Sequence, residues 1–331
     1  MKMLKGVNMK NYVDIKTKET GGYKEPDMPF RYYYSDYSKG FPGFTIHWHD
    51  EIEVMYIVKG KGTFLIDDEE HLVTEGDIVY ISPRLIHSGQ AIDNNNFITI
   101  CYVIDINYLL SLSGEHNTDK YISSLDEQKI SKTIIKPKDP GYKAIKNCLH
   151  LIDLCTVDKG IAYQLEIKMQ LYSFFALLYK NGYFSVNNTK TFDRESEELV
   201  KKAINYIQAN YNKQLTVNEI AKHVGLSPSH FMSVFKQHTK LTCIKYINSY
   251  RLNIAETILK ETDESVLQIA QDCGFNNLSL FNREFKKSYF STPTQYRRNY
   301  REEAQKYVDE YGYTSGLTAM VQKQKNDKKE N

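Results

Sequence analysis

A pattern that occurs twice in the last third of the 331-residue chain constrains the fold more than any other feature. Each copy has an Ile-Ala pair, a glycine five residues after the isoleucine, and two phenylalanines four residues apart, the second followed by lysine. The copies span 220–236 and 269–286, and their offset changes from 49 to 50 residues after the glycine. Two short helices joined by a glycine turn, and repeated once, predict a tandem helix-turn-helix.

Each copy also carries explicit signals for where its helices begin and end. The pairs Thr216–Glu219 and Ser265–Gln268 have the spacing of a capping box, which predicts a helix start. Gly225 and Gly274 are expected to end these helices, where the chain needs a positive φ. Ser227 then caps the next helix, with proline at its first position. The second helix of each copy is therefore predicted as a recognition helix.

Charge is distributed unevenly along the chain, whose formal net charge is only +2. Residues 196–300 hold 14 Lys and Arg against 9 Asp and Glu, a net charge of +5, whereas residues 1–195 carry −3. The segment with the repeated pattern is therefore the basic one, as contact with phosphates requires. A helical bundle without a DNA role is the alternative, and the combination of caps, turns and charge argues against it.

From about residue 198 to residue 300, the chain resembles the DNA-binding domain of AraC/XylS-family regulators. The second copy is similar to the family signature at Ile269, Ala270, Gly274, Phe275, Phe281, Arg283, Phe285, Lys286, Lys287, Thr292, Pro293, Tyr296 and Arg297. Two positions depart from it, because Lys240 and Phe290 stand where a glycine usually follows each recognition helix. A left-handed backbone strains residues that have a Cβ, so we expect strain there or a different turn.

The resemblance implies that each recognition helix enters a major groove, with the two helices about one DNA turn (~34 Å) apart. The implied DNA-contacting residues are Ser229, His230, Met232, Ser233 and Lys236 in the first copy, and Asn277, Leu278, Ser279, Asn282, Arg283 and Lys286 in the second. Arg283 is expected to read guanine and Asn282 adenine, with Met232 against thymine methyl groups. The serines have an alternative role in contacts to phosphate or water. Asn277 is also expected to cap its helix.

Between Phe30 and about Tyr108 the chain is predicted to form short strands. The runs 53–58, 62–66 and 77–81 are rich in β-forming residues, and turn signals separate them. Short strands at regular spacing predict a sandwich or a barrel.

Two histidine-containing motifs lie in this strand region. The first is H-x-H-x3-E-x6-G, beginning at His47, and the second is G-x6-P-x3-H, ending at His87. His47, His49 and Glu53 share parity, so on one strand they would point to the same face. The two motifs resemble those of a cupin, which is a double-sheet jelly roll, although the second lacks the glycine of the usual P-x-G element.

The cupin resemblance implies that His47, His49, Glu53 and His87 are metal ligands, since three His and one Glu are the usual cupin set. A shell of three nitrogens and one oxygen suits Fe, Mn, Ni or Zn. The alternative is that the same residues, together with Trp48, line an effector pocket at the barrel mouth without a metal. No cofactor is therefore certain, and a divalent transition metal in the cupin domain remains an open alternative.

The family resemblance implies a sugar as the effector. Trp48, Tyr56 and Tyr80 are candidates for stacking on a pyranose ring. The alternative for each of them is packing in the core.

These features together predict an α+β multidomain protein with an N-terminal β jelly-roll (cupin) barrel, a helical linker segment and a C-terminal all-α tandem helix-turn-helix domain. The predicted boundaries are 1–28 for an N-terminal arm, 29–112 for the cupin-like effector-binding domain, 113–194 for a helical dimerisation and linker segment, 195–301 for the AraC-type DNA-binding domain and 302–331 for a charged tail.

The segment 141–183 changes to helical periodicity. One apolar stripe is predicted to pack on the barrel and to supply a homodimer surface, at Leu165, Met169, Tyr172, Phe175, Ala176 and Tyr179. Dimerisation itself is an expectation from the family resemblance.

Several features indicate a cytoplasmic protein without a membrane span. The five cysteines are odd in number and have no zinc-ligand spacing, which fits reduced thiols. The polar first 24 residues contain no secretory signal, and no run of 18 apolar residues occurs.

We therefore expect a sequence-specific transcription regulator, an activator of a carbohydrate operon, and not an enzyme. The expected partners are double-stranded DNA, a small-molecule effector of the carbohydrate class, a second copy of the chain in a homodimer, and RNA polymerase if the protein is an activator. Two alternatives stay open. One is a metal-dependent cupin enzyme fused to a DNA-binding module, and the other is a constitutive DNA-binding protein whose barrel senses nothing.

Overall fold

A computed structural model describes residues 30–37, 43–92, 97–110, 121–126, 130–184 and 194–311. The predicted arm 1–28 lies outside the described residues, as does the part of the predicted tail after Tyr311.

The N-terminal half contains two antiparallel sheets. The strands are β1 (Phe30–Asp36), β2 (Gly43–His47), β3 (Ile52–Lys59), β4 (Lys61–Ile66), β5 (Glu69–Thr74), β6 (Ile78–Ile81), β7 (His87–Ala91), β8 (Ile98–Ile104) and β9 (Ile134–Ile135). One sheet has the order β1-β8-β3-β6-β9, and the other has the order β2-β7-β4-β5. The predicted β jelly roll is confirmed as a sandwich of two antiparallel sheets, and within the described ranges no strand pair joins the two.

The sandwich core lies between the two sheets. Met55 and Ile57 of the five-stranded sheet pack with Phe64 and Ile66 of the four-stranded sheet, and all four are buried. Side chains alternate along a strand, so the neighbours of these residues point outward from the sandwich. Both outer faces are covered by helices, which explains why the strands are apolar on both sides.

Two helices cover the outer face of the five-stranded sheet. They are α1 (Tyr142–Asp158) and α2 (Tyr163–Lys180). The apolar stripe predicted on the second helix packs on the core under these helices at Tyr172, Phe175 and Tyr179. The buried side chains of α2 are Ile167, Leu171, Phe174, Phe175 and Leu178. Leu165 and Met169 are exposed, because they lie on the side of the helix that faces away from the sheet.

The C-terminal half is entirely helical in its described residues. Its helices are α3 (Arg194–Asn210), α4 (Val217–His223), α5 (Pro228–Thr239), α6 (Cys243–Glu261), α7 (Val266–Asp272), α8 (Leu278–Tyr289) and α9 (Pro293–Tyr311). The pairs α4–α5 and α7–α8 are the two helix-turn-helix units. The last helix continues past residue 301, where the DNA-binding domain was expected to end.

The connecting helix α6 belongs to the cores of both units. Its first turns contribute Tyr246 and Ile247 to the first core, which also contains Phe231 and Phe235. Its later turns contribute residues such as Leu259 to the second core. A single 19-residue helix therefore sets the spacing between the two recognition helices.

The local signals read from the sequence are present in the structure. The Glu219 backbone N–H donates to Thr216 Oγ1 at 3.2 Å, and the Gln268 N–H donates to Ser265 Oγ at 3.1 Å. Gly225 and Gly274 have φ values of 76° and 83°. The predicted turns and caps are thus confirmed at both copies.

The strain expected at the two departures from the family pattern is also present. Lys240 and Phe290 end the recognition helices with φ values of 54° and 56°, in the left-handed region that favours glycine.

The described part of the chain contains no helix that is both long and apolar enough to cross a membrane.

Candidate functional site

The candidate metal ligands lie where the chain crosses from one sheet to the other. His47 is the last residue of β2, His49 lies in the crossing, and Glu53 is on β3. His87 opens β7 and pairs directly with His47. The prediction that parity on one strand would align the first three residues was therefore wrong in its reason. They converge because the chain turns between two sheets that face each other.

The four side chains form a tight cluster. Their ligand atoms all lie within 4.8 Å of one another. Oε2 of Glu53 is 2.9 Å from Nε2 of His49 and 2.9 Å from Nε2 of His87, and the Cys101 thiol donates to Oε1 at 2.9 Å. Glu53 and His87 are buried, while His47 and His49 are half-buried. The cluster therefore has one closed side and one side nearer to solvent.

Backbone carbonyls fix the orientation of all three imidazole rings. Nδ1 of His47 lies 2.8 Å from the Thr45 carbonyl, and Nδ1 of His87 lies 2.8 Å from the Leu85 carbonyl. His49 makes the same kind of contact with the Glu51 carbonyl at 3.1 Å. A carbonyl oxygen only accepts, so Nδ1 of each ring carries a hydrogen. Nε2 of His49 and Nε2 of His87 face the Glu53 carboxylate, where a protonated ring donates a hydrogen bond and a neutral ring presents a lone pair.

Electrostatics favours an ionised glutamate. Burial alone would raise the pKa of Glu53, but hydrogen bonds from His49 and His87 and the charges of these residues when protonated outweigh it and hold the pKa well below its usual range. Burial, together with the neighbouring His47, lowers the pKa of His87 although its hydrogen bond to Glu53 opposes this shift. A cation that takes the place of the Nε2 hydrogens would therefore meet the carboxylate and the Nε2 lone pairs of His49 and His87.

These observations fit a divalent transition metal. In protein metal sites the second ring nitrogen of a ligating histidine usually donates to a carbonyl or carboxylate, as all three Nδ1 atoms do here. Ligand atoms that bind one ion at about 2.0–2.2 Å lie close to one another, as these do. Three nitrogens and one oxygen suit Fe, Mn, Ni or Zn.

The aromatic residues expected near this site lie elsewhere. Tyr56 and Tyr80 are on the outer face of the five-stranded sheet, packed with the core formed by α1 and α2. Trp48 packs against the first helix-turn-helix unit, where Lys201 Nζ lies 5.5 Å from its ring centre. The structure therefore contradicts the placement of Trp48 in the pocket, because it points to the side opposite His47 and His49.

The contact between the sandwich and the first helix-turn-helix unit was not foreseen from the sequence. Ile46, Leu65 and Ile86 share one buried core with α3, α4, α5 and α6. At its edge His238 Nδ1, near the end of α5, lies 3.1 Å from Asp68 Oδ2 in the β4–β5 turn. We call this contact the seam. The local sequence does not indicate the seam, because Leu65 has the same alternating pattern as other strand residues.

The candidate DNA-contacting residues lie on the surface of the recognition helices. Exposed side chains are Ser229, His230, Met232, Ser233 and Lys236 on α5, and Asn277, Leu278, Ser279, Arg283 and Lys286 at α8, while Asn282 is half-buried. The α5 set is exposed although α5 also contributes buried residues and His238 to the seam.

Arg283 and Asn277 of the second recognition helix each make a polar contact within the protein. Arg283 is 72% exposed and pairs with the neighbouring Glu284 at 3.2 Å, so its guanidinium is available for exchange to a base. Asn277 accepts a hydrogen bond from the Leu280 N–H at 3.0 Å, as the predicted helix cap. The cap uses Oδ1, so the Nδ2 donors of this exposed side chain remain for the predicted DNA contact.

Comparisons with known proteins agree with the two halves of the structure. The family model described as "AraC-like ligand binding domain" matches residues 26–174, and the one described as "Helix-turn-helix domain" matches residues 220–299.

Three relatives match most of the chain. The uncharacterized HTH-type transcriptional regulator YdeC of Bacillus subtilis is 26% identical over 88% of this chain and 99% of the relative. The melibiose operon regulatory protein of Escherichia coli is 26% identical over 77% of this chain and 83% of the relative. The HTH-type transcriptional activator RhaR of Mannheimia succiniciproducens is 25% identical over 78% of this chain and 89% of the relative.

Proposed function

This chain belongs to the AraC family of transcription regulators, with a ligand-binding and a DNA-binding domain, and on that premise we propose that it is an activator that responds to a small carbohydrate. One relative is named for a melibiose operon and another as an activator, which supports both parts of the proposal. The relatives are named as regulators, not as enzymes, so the prediction that the chain is not an enzyme is confirmed.

The observation that carries the proposal is the alternation of side chains along residues 46–49. His47 and His49 face the candidate site. Ile46 and Trp48 contact the first helix-turn-helix unit. A ligand that moves this short segment therefore changes the contact with the DNA-binding domain directly.

Within this proposal, His47, His49, Glu53 and His87 would hold a divalent transition metal. The ion would supply a Lewis acid for hydroxyl oxygens of the effector. The chain itself orients the three rings through its carbonyls and keeps the carboxylate ionised.

Coupling requires that the effector bind two states of the seam with different affinity. Moving a 1:99 population to 99:1 takes about a 10⁴-fold preference, or about 5.5 kcal/mol. The contacts that could differ between two states of the seam are its shared apolar core, the contact of His238 with Asp68 and that of Lys201 with the Trp48 ring.

Partners follow from the same proposal. The recognition helices would bind double-stranded DNA, and an activator bound beside a promoter would contact RNA polymerase. A second copy of the chain would pack on the exposed side of α2, where Leu165 and Met169 are 68% and 54% exposed.

The test begins with binding of the purified full-length chain to sheared DNA of its own genome at ~150 mM salt, since salt sets the non-specific background. We expect one or a few sites beside sugar transporter or glycosidase genes. Binding that stays diffuse and salt-sensitive with every sugar tried would contradict a sequence-specific regulator.

The sensing part is tested separately with melibiose as the first probe of a sugar panel, with and without a chelator. We expect a sugar to change the affinity of the wild-type chain for its site, and expect the response to be lost in His87→Ala and after chelation. His71→Ala, a histidine of β5 outside the cluster, is the matched control and keeps the response. A normal response in His87→Ala would place effector sensing elsewhere.

A further inference from the structure

A second cavity lies on the other side of the five-stranded sheet, between that sheet and α1. Its volume is about 330 Å³, and its walls include Tyr32, Tyr56, Val58, Tyr102 and Leu149. Tyr56 and Glu53 are on the same strand but on opposite faces, so the sheet separates this cavity from the histidine cluster. The proposed effector site therefore does not include it.

One acidic side chain stands among these aromatic and aliphatic walls. Asp153 of α1 lines the cavity, and its Oδ1 accepts hydrogen bonds from the hydroxyls of Tyr32 at 2.9 Å and Tyr102 at 2.6 Å. Among the described residues both hydrogen bonds of this carboxyl group go to Oδ1. Oδ2 remains as an acceptor within the cavity wall, because an ionised carboxylate has lone pairs on both oxygens.

The side of the cavity formed by Asp153 and the tyrosines offers oxygen acceptors, while Lys146 and His150 supply its donors. The two tyrosine hydrogens are already given to Oδ1, which leaves oxygen lone pairs on both hydroxyls and on Asp153. The surrounding ring faces of Tyr32, Tyr56 and Tyr102 attract cations. An ammonium group has donors only and carries a positive charge, so it matches both features.

We propose that this cavity is a second ligand site, which binds a small protonated amine with an apolar body. The ammonium would donate to Asp153 Oδ2, and the apolar body would pack on Val58 and Leu149. The cavity has the size of a small-molecule site. Lys146 Nζ lies 5.0 Å from the centre of the Tyr56 ring, so one ammonium group of the chain itself already contacts an aromatic ring of this wall.

The site should depend on pH in a defined direction. Burial raises the pKa of Asp153 to about 7, although the hydrogen bonds from the two tyrosines oppose the shift. The carboxyl group is therefore mostly protonated at pH 6 and mostly ionised at pH 8, while an aliphatic amine stays charged. The other titratable groups of the wall are Lys146 and His150 on α1 and Tyr32, Tyr56 and Tyr102 on the strands.

The experiment is calorimetric titration of the full-length chain with phenethylamine, alongside 2-phenylethanol as the uncharged analogue of equal shape. We expect saturable 1:1 binding of the amine, about tenfold tighter at pH 8 than at pH 6 because the ionised fraction of Asp153 rises about tenfold. At pH 8 the alcohol should bind more weakly than the amine, and its affinity should not rise between pH 6 and pH 8. His150→Gln should keep the pH dependence.

Variants locate the binding site. Asp153→Asn keeps the side-chain volume and should weaken amine binding at pH 8 at least tenfold, whereas Glu75→Gln, an exposed acid on a turn of the same domain, should not. Val58→Phe fills the cavity and should also abolish binding. This variant tests the site even if Asp153→Asn fails to fold. The proposal would be overturned if the wild-type chain shows no saturable binding of the amine. It would also be overturned if Asp153→Asn and Val58→Phe both bind the amine as tightly as the wild-type chain does. Neither result depends on the histidine cluster or on DNA, so the proposed function is tested independently.

Discussion

At the scale of single residues, the helix ends and the recognition surface give the sharpest expectations. Lys240 and Phe290 adopt left-handed backbone conformations that cost a residue with a Cβ roughly 1–2 kcal/mol. Phe290 is 55% exposed, so its ring contributes little that would offset this cost. The position therefore lowers stability without an evident gain in packing.

Replacing Phe290 with glycine should raise the free energy of unfolding by about 1 kcal/mol, because the strain is relieved and only part of that gain is lost to the flexibility of glycine. Urea unfolding of the full-length chain measures the change. Phe290→Ala is the matched control, since it removes the ring but keeps the Cβ, and it should not be stabilised. Equal stabilities of the glycine and alanine variants would show that the ring and not the backbone matters.

Arg283→Ala should weaken binding to the operator by about 1–3 kcal/mol and relax the preference at one base pair, because the guanidinium is placed to donate to guanine. Lys286→Ala on the same helix should weaken binding to all sequences alike, as loss of a phosphate contact does. Binding assays on operator variants mutated at each position compare the two proteins. An unchanged sequence preference in Arg283→Ala would remove this residue from base recognition.

At the scale of elements, α2 has two apolar sides with different roles. Ile167, Leu171 and Phe174 are buried against the five-stranded sheet, whereas Leu165 and Met169 are exposed on the single chain. Leu165 and Met169 lie one helical turn apart, so the proposed contact with a second copy would use both. This side is the one available to a second copy of the chain.

The double variant Leu165→Asp/Met169→Asp should convert a homodimer into a monomer, because it places two charges in the apolar contact. Sedimentation velocity measures the oligomeric state, and thermal unfolding checks that the fold is kept. Changing two polar surface residues of the same helix, Gln164→Asp and Gln170→Asp, is the control and should leave the dimer intact. A dimer that survives the first pair of changes would place the dimer contact elsewhere.

At the scale of the whole molecule, the layers are α1 and α2, the five-stranded sheet, the four-stranded sheet and the first helix-turn-helix unit. The candidate effector site is inside the sandwich, and the seam is on the next face outward. The second helix-turn-helix unit has its own core, which is joined to the seam through α6 and through Tyr211 at the end of α3. Effector binding in the sandwich should therefore change first the contact of α5 with its half of the operator.

Leu65→Asp should uncouple the two domains, since Leu65 is 7% exposed in the seam and a charge cannot be buried there without a partner. The affinity for DNA should then no longer respond to the effector. Leu72→Asp is the matched control, because Leu72 lies on the same outer face of the same sheet but is 59% exposed. Operator titrations with and without effector compare both variants. An effector response that persists in Leu65→Asp, with folding intact, would exclude the seam as the route.

The sequence by itself determined the features that depend on residues close together in the chain. Capping pairs three residues apart, glycine turns and the spacing of Phe231 and Phe235 specify the tandem helix-turn-helix without reference to the rest of the molecule. The identities of the candidate metal ligands were also readable, since the two motifs mark His47 and His87 directly.

Only the tertiary structure decided which faces meet. Glu53 contacts His87 across 34 positions of sequence, and Asp153 contacts Tyr102 across 51. Leu65 meets the DNA-binding domain although no local pattern distinguishes it from other strand residues. Periodicity tells which residues of one element share a face, but the partner of that face depends on how sheets and helices pack, and this packing is a sum over contacts between distant segments.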